Sequence, residues 1–305
     1  MNAKKSENMK IYIISAVSLV FLFTAIPAEA QRMIERGMTL NPLENPAVDL
    51  QEGESGWFPQ VGGWASFGSY ALHGDDNHQW YQHLGGYFEI YRRENHTSVA
   101  VTGQIEFIAN ADNDINFSPR AIFWEEGLLY TRRMNRFFLQ LGYYHRCKHD
   151  IDNLRFGEER TSVFGSALGR VVLPLSLSMD GDGLLAFQFD YYTITWEKRT
   201  PALYEGISPD WENLINSLRL NAAWRTVLND RINFYFDGYT MSSFLNDGFL
   251  MSAKVRAEVG TRTDAGEVRL GVHLERLGDS GISVRPRAVT LLGIGIRIMT
   301  PGSIR

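Results

Sequence analysis

From Trp57 to the C-terminus the chain alternates apolar and polar positions with period two, the repeat of a strand whose side chains point to opposite faces. In "INFYFDG" the apolar set is Ile232, Phe234 and Phe236, opposed by Asn233, Tyr235 and Asp237. In "FLMSAKVRAEV", Phe249, Met251, Ala253, Val255, Ala257 and Val259 face away from Ser252, Lys254, Arg256 and Glu258. "EVRLGVHLERL", "LLAFQFDYYT" and "SVAVTGQIEF" repeat the pattern. The charged face cannot be a core, which leaves two surroundings for the apolar face: the inner sheet of a soluble sandwich, with the charges in water, or the lipid of a membrane, with the charges lining a barrel.

Segment length decides between them. Strands of soluble sheets run about 5 to 6 residues, whereas a tilted strand crossing a bilayer needs about 9 to 11. Most segments here have the longer value, which predicts an all-β fold: an antiparallel transmembrane β-barrel of the outer-membrane type, apolar side to lipid and polar side to the lumen. About twelve segments are readable, an even number as bacterial barrels require, with ten or fourteen as the alternatives. They cover 57–70, 80–93, 96–109, 118–131, 136–149, 160–175, 184–197, 212–227, 231–243, 248–263, 266–277 and 287–299. Adjacent Glu125 and Glu126 spoil the alternation of "AIFWEEGLLYTRR" and predict a bulge there. Short turns ("RRENH", "RRMNR", "LNDR", "TDAGE") interleave with longer links ("LHGDDNHQ", "ANADNDINF", "DIDNLRFGEE", "RTPALYEGISPD"). Short connections belong to the periplasmic side and long ones to the cell surface, so the N-terminus is expected in the periplasm.

The opening of the chain agrees with export. Lys4, Lys5 and Lys10 precede an apolar run from Ile11 to Ile26 and then Ala28-Glu29-Ala30. Basic region, apolar region and small-residue site make a signal peptide over 1–30, cut after Ala30. Residues 31–56 have no period and contain Pro42 and Pro46; they read as a periplasmic lead, with a small plug or partner-binding segment as the alternative, before the barrel of 57–305. The one cysteine, Cys147, permits no internal disulfide. A net charge of -5 and a pI near 5.8 provide no basic field for nucleic acid. The partners expected are outer-membrane lipids.

The inward set mixes both signs: Glu89, Glu106, Asp190, Asp237, Glu258, Glu267 and Glu275 with Arg219, Arg225, Lys254, Arg256, Arg262, Arg269 and His273. Opposite charges on neighbouring strands of a narrow barrel cross-link, and wide channels belong to about 16 to 18 strands. A lumen closed by ionic cross-links, in a protein of structural or passive role, is therefore the expectation. A narrow anion-favouring porin is the alternative. His73, His78 and His83 read as solvated loop residues.

The chemistry-bearing stretch is "YYHRCKHDIDN", residues 143–153. Continuing the odd register of its strand places His145, Cys147 and His149 outward, near the surface end and behind Tyr143 and Tyr144. A thiol beside an imidazole can act as a nucleophile, and a carboxylate such as Glu159 on the next strand would orient the ring. The same spacing suits a metal held by His145, Cys147 and His149, with zinc the natural ion and calcium a second choice. A plain polar or headgroup contact is the third reading, and it requires no cofactor. The stretch resembles outer-membrane phospholipase A, a twelve-stranded barrel family with an outward Y-x-H-x-S-N-G pattern. That resemblance puts His145 in the place of the general base and Cys147 in that of the nucleophilic serine, and implies lipid acyl-ester hydrolysis. Lys148-His149 replaces the Asn-Gly that follows. The stretch is also similar to a Y-Y-H-x-S-S-H-x-x-D motif of another bacterial outer-membrane family, matched by His145, His149 and Asp152, which implies a location and no activity.

Overall fold

The structure, a computed structural model, describes residues 39–44, 48, 50–72, 74–151, 157–178, 181–229 and 231–300. The signal peptide read over 1–30, His73 and Asp152 lie outside the described residues. Thirteen strands follow one another: β1 (Ser55–Trp57), β2 (Val61–Leu72), β3 (Trp80–Arg93), β4 (Thr97–Asn110), β5 (Ser118–Arg133), β6 (Phe138–Asp150), β7 (Glu159–Ser178), β8 (Gly181–Thr200), β9 (Leu214–Val227), β10 (Asn233–Leu245), β11 (Gly248–Thr263), β12 (Gly266–Leu277) and β13 (Val289–Met299). Each of β2 to β13 pairs antiparallel with its sequence neighbour, and β13 returns to β2, closing a barrel of twelve strands. Closure removes every unpaired edge, which a sheet in lipid requires. The short β1 extends β3 at one end, pairing Ser55 with Arg93 and Trp57 with Tyr91. Trp57 therefore belongs to this extra ribbon and the first barrel strand starts at Val61.

The alternation read from the sequence is the inside–outside pattern of the wall. Phe187, Phe189, Leu218, Leu270, Val272, Ile294 and Ile296 are all exposed on the outer face, whereas Glu89, Glu106, Asp190, Asp237, Glu258, Glu275, Arg219, Lys254, Arg256 and Arg269 are buried within. Trp57, Phe58, Phe88 and Tyr91 form an outer aromatic group at the end with the short turns, the place such girdles take at a membrane interface. Inside, rings lie flat over glycines: Trp64 over Gly85 and Tyr144 over Gly127, where a Cβ would collide with the ring.

Two expectations are corrected here. The register across Glu125 and Glu126 is continuous, and the irregularity of β5 falls instead at Arg120, between the pairs Ala121–Ile108 and Pro119–Ala109. Each glutamate keeps its place because its own face holds a partner: Glu125 points inward to Arg146, Glu126 outward to Trp124. His78 and His83 are not solvated; both are fully buried. His78 sits in the barrel mouth with Nδ1 2.6 Å from Asp75 Oδ1, and His83 faces the lumen with Nε2 2.9 Å from Gln104.

A continuous polar belt lines the inner wall from β3 to β8. His83 meets Gln104, Gln104 donates to Glu125, Glu125 pairs with Arg146, and Arg146 reaches Ser166 and Asp190. A second set links Arg297 to Asp237 and Glu258, with Arg256 on Asp237 and Arg269 on Glu267. Both ends are also filled. At the turn end residues 39–44 enter the barrel: Leu40 packs with Trp64, Tyr87, Tyr144 and Met299, and Leu43 with Phe138, Val172 and Leu184. Their carbonyls are read by the wall, Pro42 O by Gln60 and Arg92, Leu40 O by Gln140. At the loop end the connection 278–288 folds inward, burying Val284 and packing Ile282 with Tyr70, Ile108 and Phe123. Asp279 fastens it, accepting from Arg160 at 2.6 and 3.1 Å, from Trp211 Nε1 at 3.0 Å and from the Gly281 amide at 3.1 Å. Burial alone would raise this carboxyl, but the Arg160 charge and these hydrogen bonds outweigh it and hold it below the usual carboxylate range.

Candidate functional site

The outward face of β5 to β8 carries Glu126, His145, Cys147 and His149. His145 and Cys147 sit on β6 with half-buried side chains turned away from the lumen, while Arg146 and Lys148 between and beside them are buried inside. His149 is exposed on the same outer face, one residue before the strand ends. Tyr144, by contrast, is a lumen residue, so only Tyr143 accompanies the histidine outward.

Antiparallel register decides what stands beside the imidazole. His145 is opposite Glu126 on β5 and Gly165 on β7; Cys147 is opposite Trp124 and Val163. Glu126 Oε1 lies 3.3 Å from His145 Nδ1, and its other oxygen accepts from Trp124 Nε1 at 2.5 Å. Nδ1 is thus turned to a carboxylate, which leaves Nε2 as the nitrogen able to face Cys147, two residues along the same face. On the other side Tyr143 passes over Gly165, where a Cβ would strike its hydroxyl, and its oxygen is 2.9 Å from Thr193 Oγ1 on β8. The bulge of β8 between Tyr192 and Ile194 leaves both Thr193 and Ile194 facing outward.

Glu159 does not join this group. It begins β7, opposite Thr200, six residues from the Gly165 that faces His145. At about 3.3 Å per residue that is roughly 20 Å along the strand. The carboxylate beside the imidazole is Glu126, which sequence reading passed over. The break in alternation at Glu125-Glu126 was the available signal: an acidic residue on the apolar face. Among the described residues no group of three or more His, Cys, Asp or Glu side chains is arranged to hold a metal ion, so His145, Cys147 and His149 do not converge on one.

A closed sheet with an apolar exterior and a charged interior defines an integral β-barrel of the outer membrane. No family model and no curated protein matches the chain. Among solved structures it is similar to LpxR from Salmonella typhimurium (6% identity, 79% of this chain and 99% of that chain, TM-score 0.44). It is also similar to the outer membrane phospholipase of Salmonella typhi, solved as a dimer with bound calcium (12% identity, 87% and 98%, TM-score 0.48). An outer membrane channel from Pseudomonas putida F1 gives 8% identity, 88% and 100%, and a TM-score of 0.44. Barrels of different activities match at similar levels, so the likeness concerns the fold and says nothing of the site.

Proposed function

We propose that this protein is a closed barrel of passive or structural role in the outer membrane, with no path for solutes through its lumen. The inward segments 39–44 and 278–288 carry this reading, with the buried polar belt from His83 to Asp190 lining the inner wall between them from β3 to β8. Residues 39–44 and 278–288 close what the belt leaves at either end. Moving one partner of such a buried pair aside costs about 3 to 5 kcal/mol, too much for a resting pore to open spontaneously. Planar-bilayer recording tests the reading. Wild-type protein should insert without steady conductance; stable channel steps would favour a narrow porin instead.

One observation favours a second reading, surface lipid acyl hydrolysis: the register that sets Glu126, His145 and Cys147 side by side on the lipid face. In that scheme Glu126 orients the imidazole, His145 takes the thiol proton, and Cys147 attacks the ester carbonyl. His145 then passes the proton to the departing alcohol, and water cleaves the thioester to free the fatty acid and restore the thiol. Release of fatty acid from phospholipid in detergent is the assay. Cys147→Ala and His145→Ala should each abolish it while the folded barrel persists on an unheated gel. Equal release by wild type and Cys147→Ala eliminates this reading and leaves the first untouched.

A further inference from the structure

The turn between β5 and β6 concentrates basic charge on one side of the turn end. It reads "RRMNR", and Arg132, Arg133 and Arg136 are all exposed. Among the described residues none of the three has a carboxylate partner, and Arg133 lies over the Phe138 ring, 5.1 Å from its centroid. Register places Arg132 on the lipid face. Trp57, Tyr91, Val99 and Tyr130 pair in one row across β1, β3, β4 and β5, and the next row toward the turns is Ser55, Arg93, Thr97 and Arg132. Arg92, Ser98 and Thr131, between these rows, are buried inside, so both rows face outward. The first row carries three aromatic side chains, with the Trp57 and Tyr91 rings 5.1 Å apart, and such girdles mark the membrane interface. The second lies two residues further, about 7 Å along the strands. Arginine stems at that level run along apolar surface and hold their heads among the lipid phosphates.

The opposite wall differs. Its outward positions near the turns include Leu185, Thr226, Phe234, Thr261, Val268 and Ile298, none of them charged. The turn after β9 adds the exposed Arg231, which follows Asp230 in the chain. On the basic side the acidic residues are Glu52, Glu54 and Glu94, which belong to the approach to β1 and to the β3–β4 turn. Glu94 stands 3.9 Å from Arg93, which is nevertheless 66% exposed. The positive charge is therefore least compensated around Arg132 and Arg136. Thr97 lies between Arg93 and Arg132, one strand spacing of about 4.8 Å from each. A phosphodiester over Thr97 has a guanidinium on either side, and the planar fork of arginine matches phosphate oxygens in pairs.

We propose that this face binds the phosphate of an anionic phospholipid in the periplasmic leaflet. Arg93 and Arg132 flank the phosphate over Thr97, and Arg133 and Arg136 supply the field that favours a net-negative headgroup over a zwitterionic one. The surface needs neither a closed lumen nor a reaction at Cys147, so its test stands apart from both readings above. The folded protein in neutral detergent is mixed with equal amounts of phosphatidylglycerol and phosphatidylethanolamine of the same chains, and the lipid retained is counted by native mass spectrometry. Wild type should keep phosphatidylglycerol at least about fivefold over phosphatidylethanolamine, the factor that one arginine near an anionic surface contributes. Arg132→Gln with Arg136→Gln removes two exposed side chains, so the heat-modifiable barrel should persist while the preference disappears. Arg231→Gln, across the barrel, should leave the preference as in wild type. Equal retention of both lipids by wild type, or a preference that the folded double variant keeps, overturns the site. So does a preference that Arg231→Gln lowers as far as the double variant, since that is attraction to overall charge. Loss of the retained lipid to free glycerol phosphate at the same concentration overturns the lipid as ligand and leaves a site for soluble phosphate.

Discussion

Asp279→Ala tests how the loop-end mouth is held shut. The carboxylate is fully buried and accepts two hydrogen bonds from Arg160, one from Trp211 and one from its own turn. Removing it leaves the Arg160 guanidinium with Glu197 and the Ser283 carbonyl. Breaking a buried pair on one side costs about 3 to 5 kcal/mol. The barrel wall does not depend on this link, so the cost should appear as local release of the 278–288 loop. Limited trypsin digestion reads that release at Arg287, which is exposed, whereas Arg285 precedes proline. If cleavage follows the open population, 3 kcal/mol corresponds to roughly a hundredfold faster cutting, with the unheated barrel band retained. The pH dependence has a definite sign. Because the folded carboxyl is depressed, its stabilisation is complete above the unfolded value near 4 and is lost as pH falls through the lower folded value. Hydrogen exchange of the loop amides should therefore separate wild type from variant at pH 7 and bring them together in strong acid. A variant cleaved no faster than wild type at neutral pH refutes the argument, since Asp279 would then not be the fastening.

At the turn end, Leu43→Ala empties a contact with Phe138, Val172 and Leu184; about 2 to 4 kcal/mol of lost packing should appear as easier proteolysis near residue 43 while the barrel stays heat-modifiable. Asp75, desolvated by burial but bonded to His78 and the Asn77 amide, has its carboxyl lowered to about 2. Its contribution is present above about 4 and is lost as pH falls through about 2. Asp75→Asn should thus lower the urea midpoint at pH 7, with the difference from wild type shrinking in strong acid; a constant difference across that window contradicts the pairing.

The wall was legible from period two because lipid outside and charge inside oppose each other at every step. The bounds 80–93, 248–263 and 266–277 coincide with β3, β11 and β12. What the pattern could not carry was the contents of the barrel. Ile282 and Val284 sit in a polar connection with no period, and only the fold shows both buried, Ile282 within the apolar cluster of the mouth. His78 and His83 failed for a related reason: a histidine between polar neighbours reads as wet until Asp75 or Gln104 is seen beside it. At the outward site, His145 and Cys147 were placed on the right face, but the carboxylate was sought on the following strand. The register puts Glu126, on the preceding strand, opposite His145. That pairing depends on the turn at 134–137, and turn length is not a property of either strand's alternation.

Glu126 and His145 form an ionisable pair on the outward face, and their energetics separate a structural role from a functional one. An ionisable pair on a lipid face costs free energy unless something requires it, and apolar replacements of similar volume for a desolvated pair are often neutral or stabilising by about 1 to 4 kcal/mol. Neither side chain fills the core: they are 53% and 40% exposed. The double variant Glu126→Leu with His145→Phe should therefore unfold in urea at the same or a higher midpoint than wild type. Glu126→Leu alone should fall below the double variant, because it leaves the imidazole without its carboxylate. If the pair serves acyl hydrolysis, the stabilised double variant should also release no fatty acid from phospholipid. A double variant that folds poorly would instead make Glu126, His145 and Trp124 part of the scaffold, held on the lipid face for the sheet's own sake.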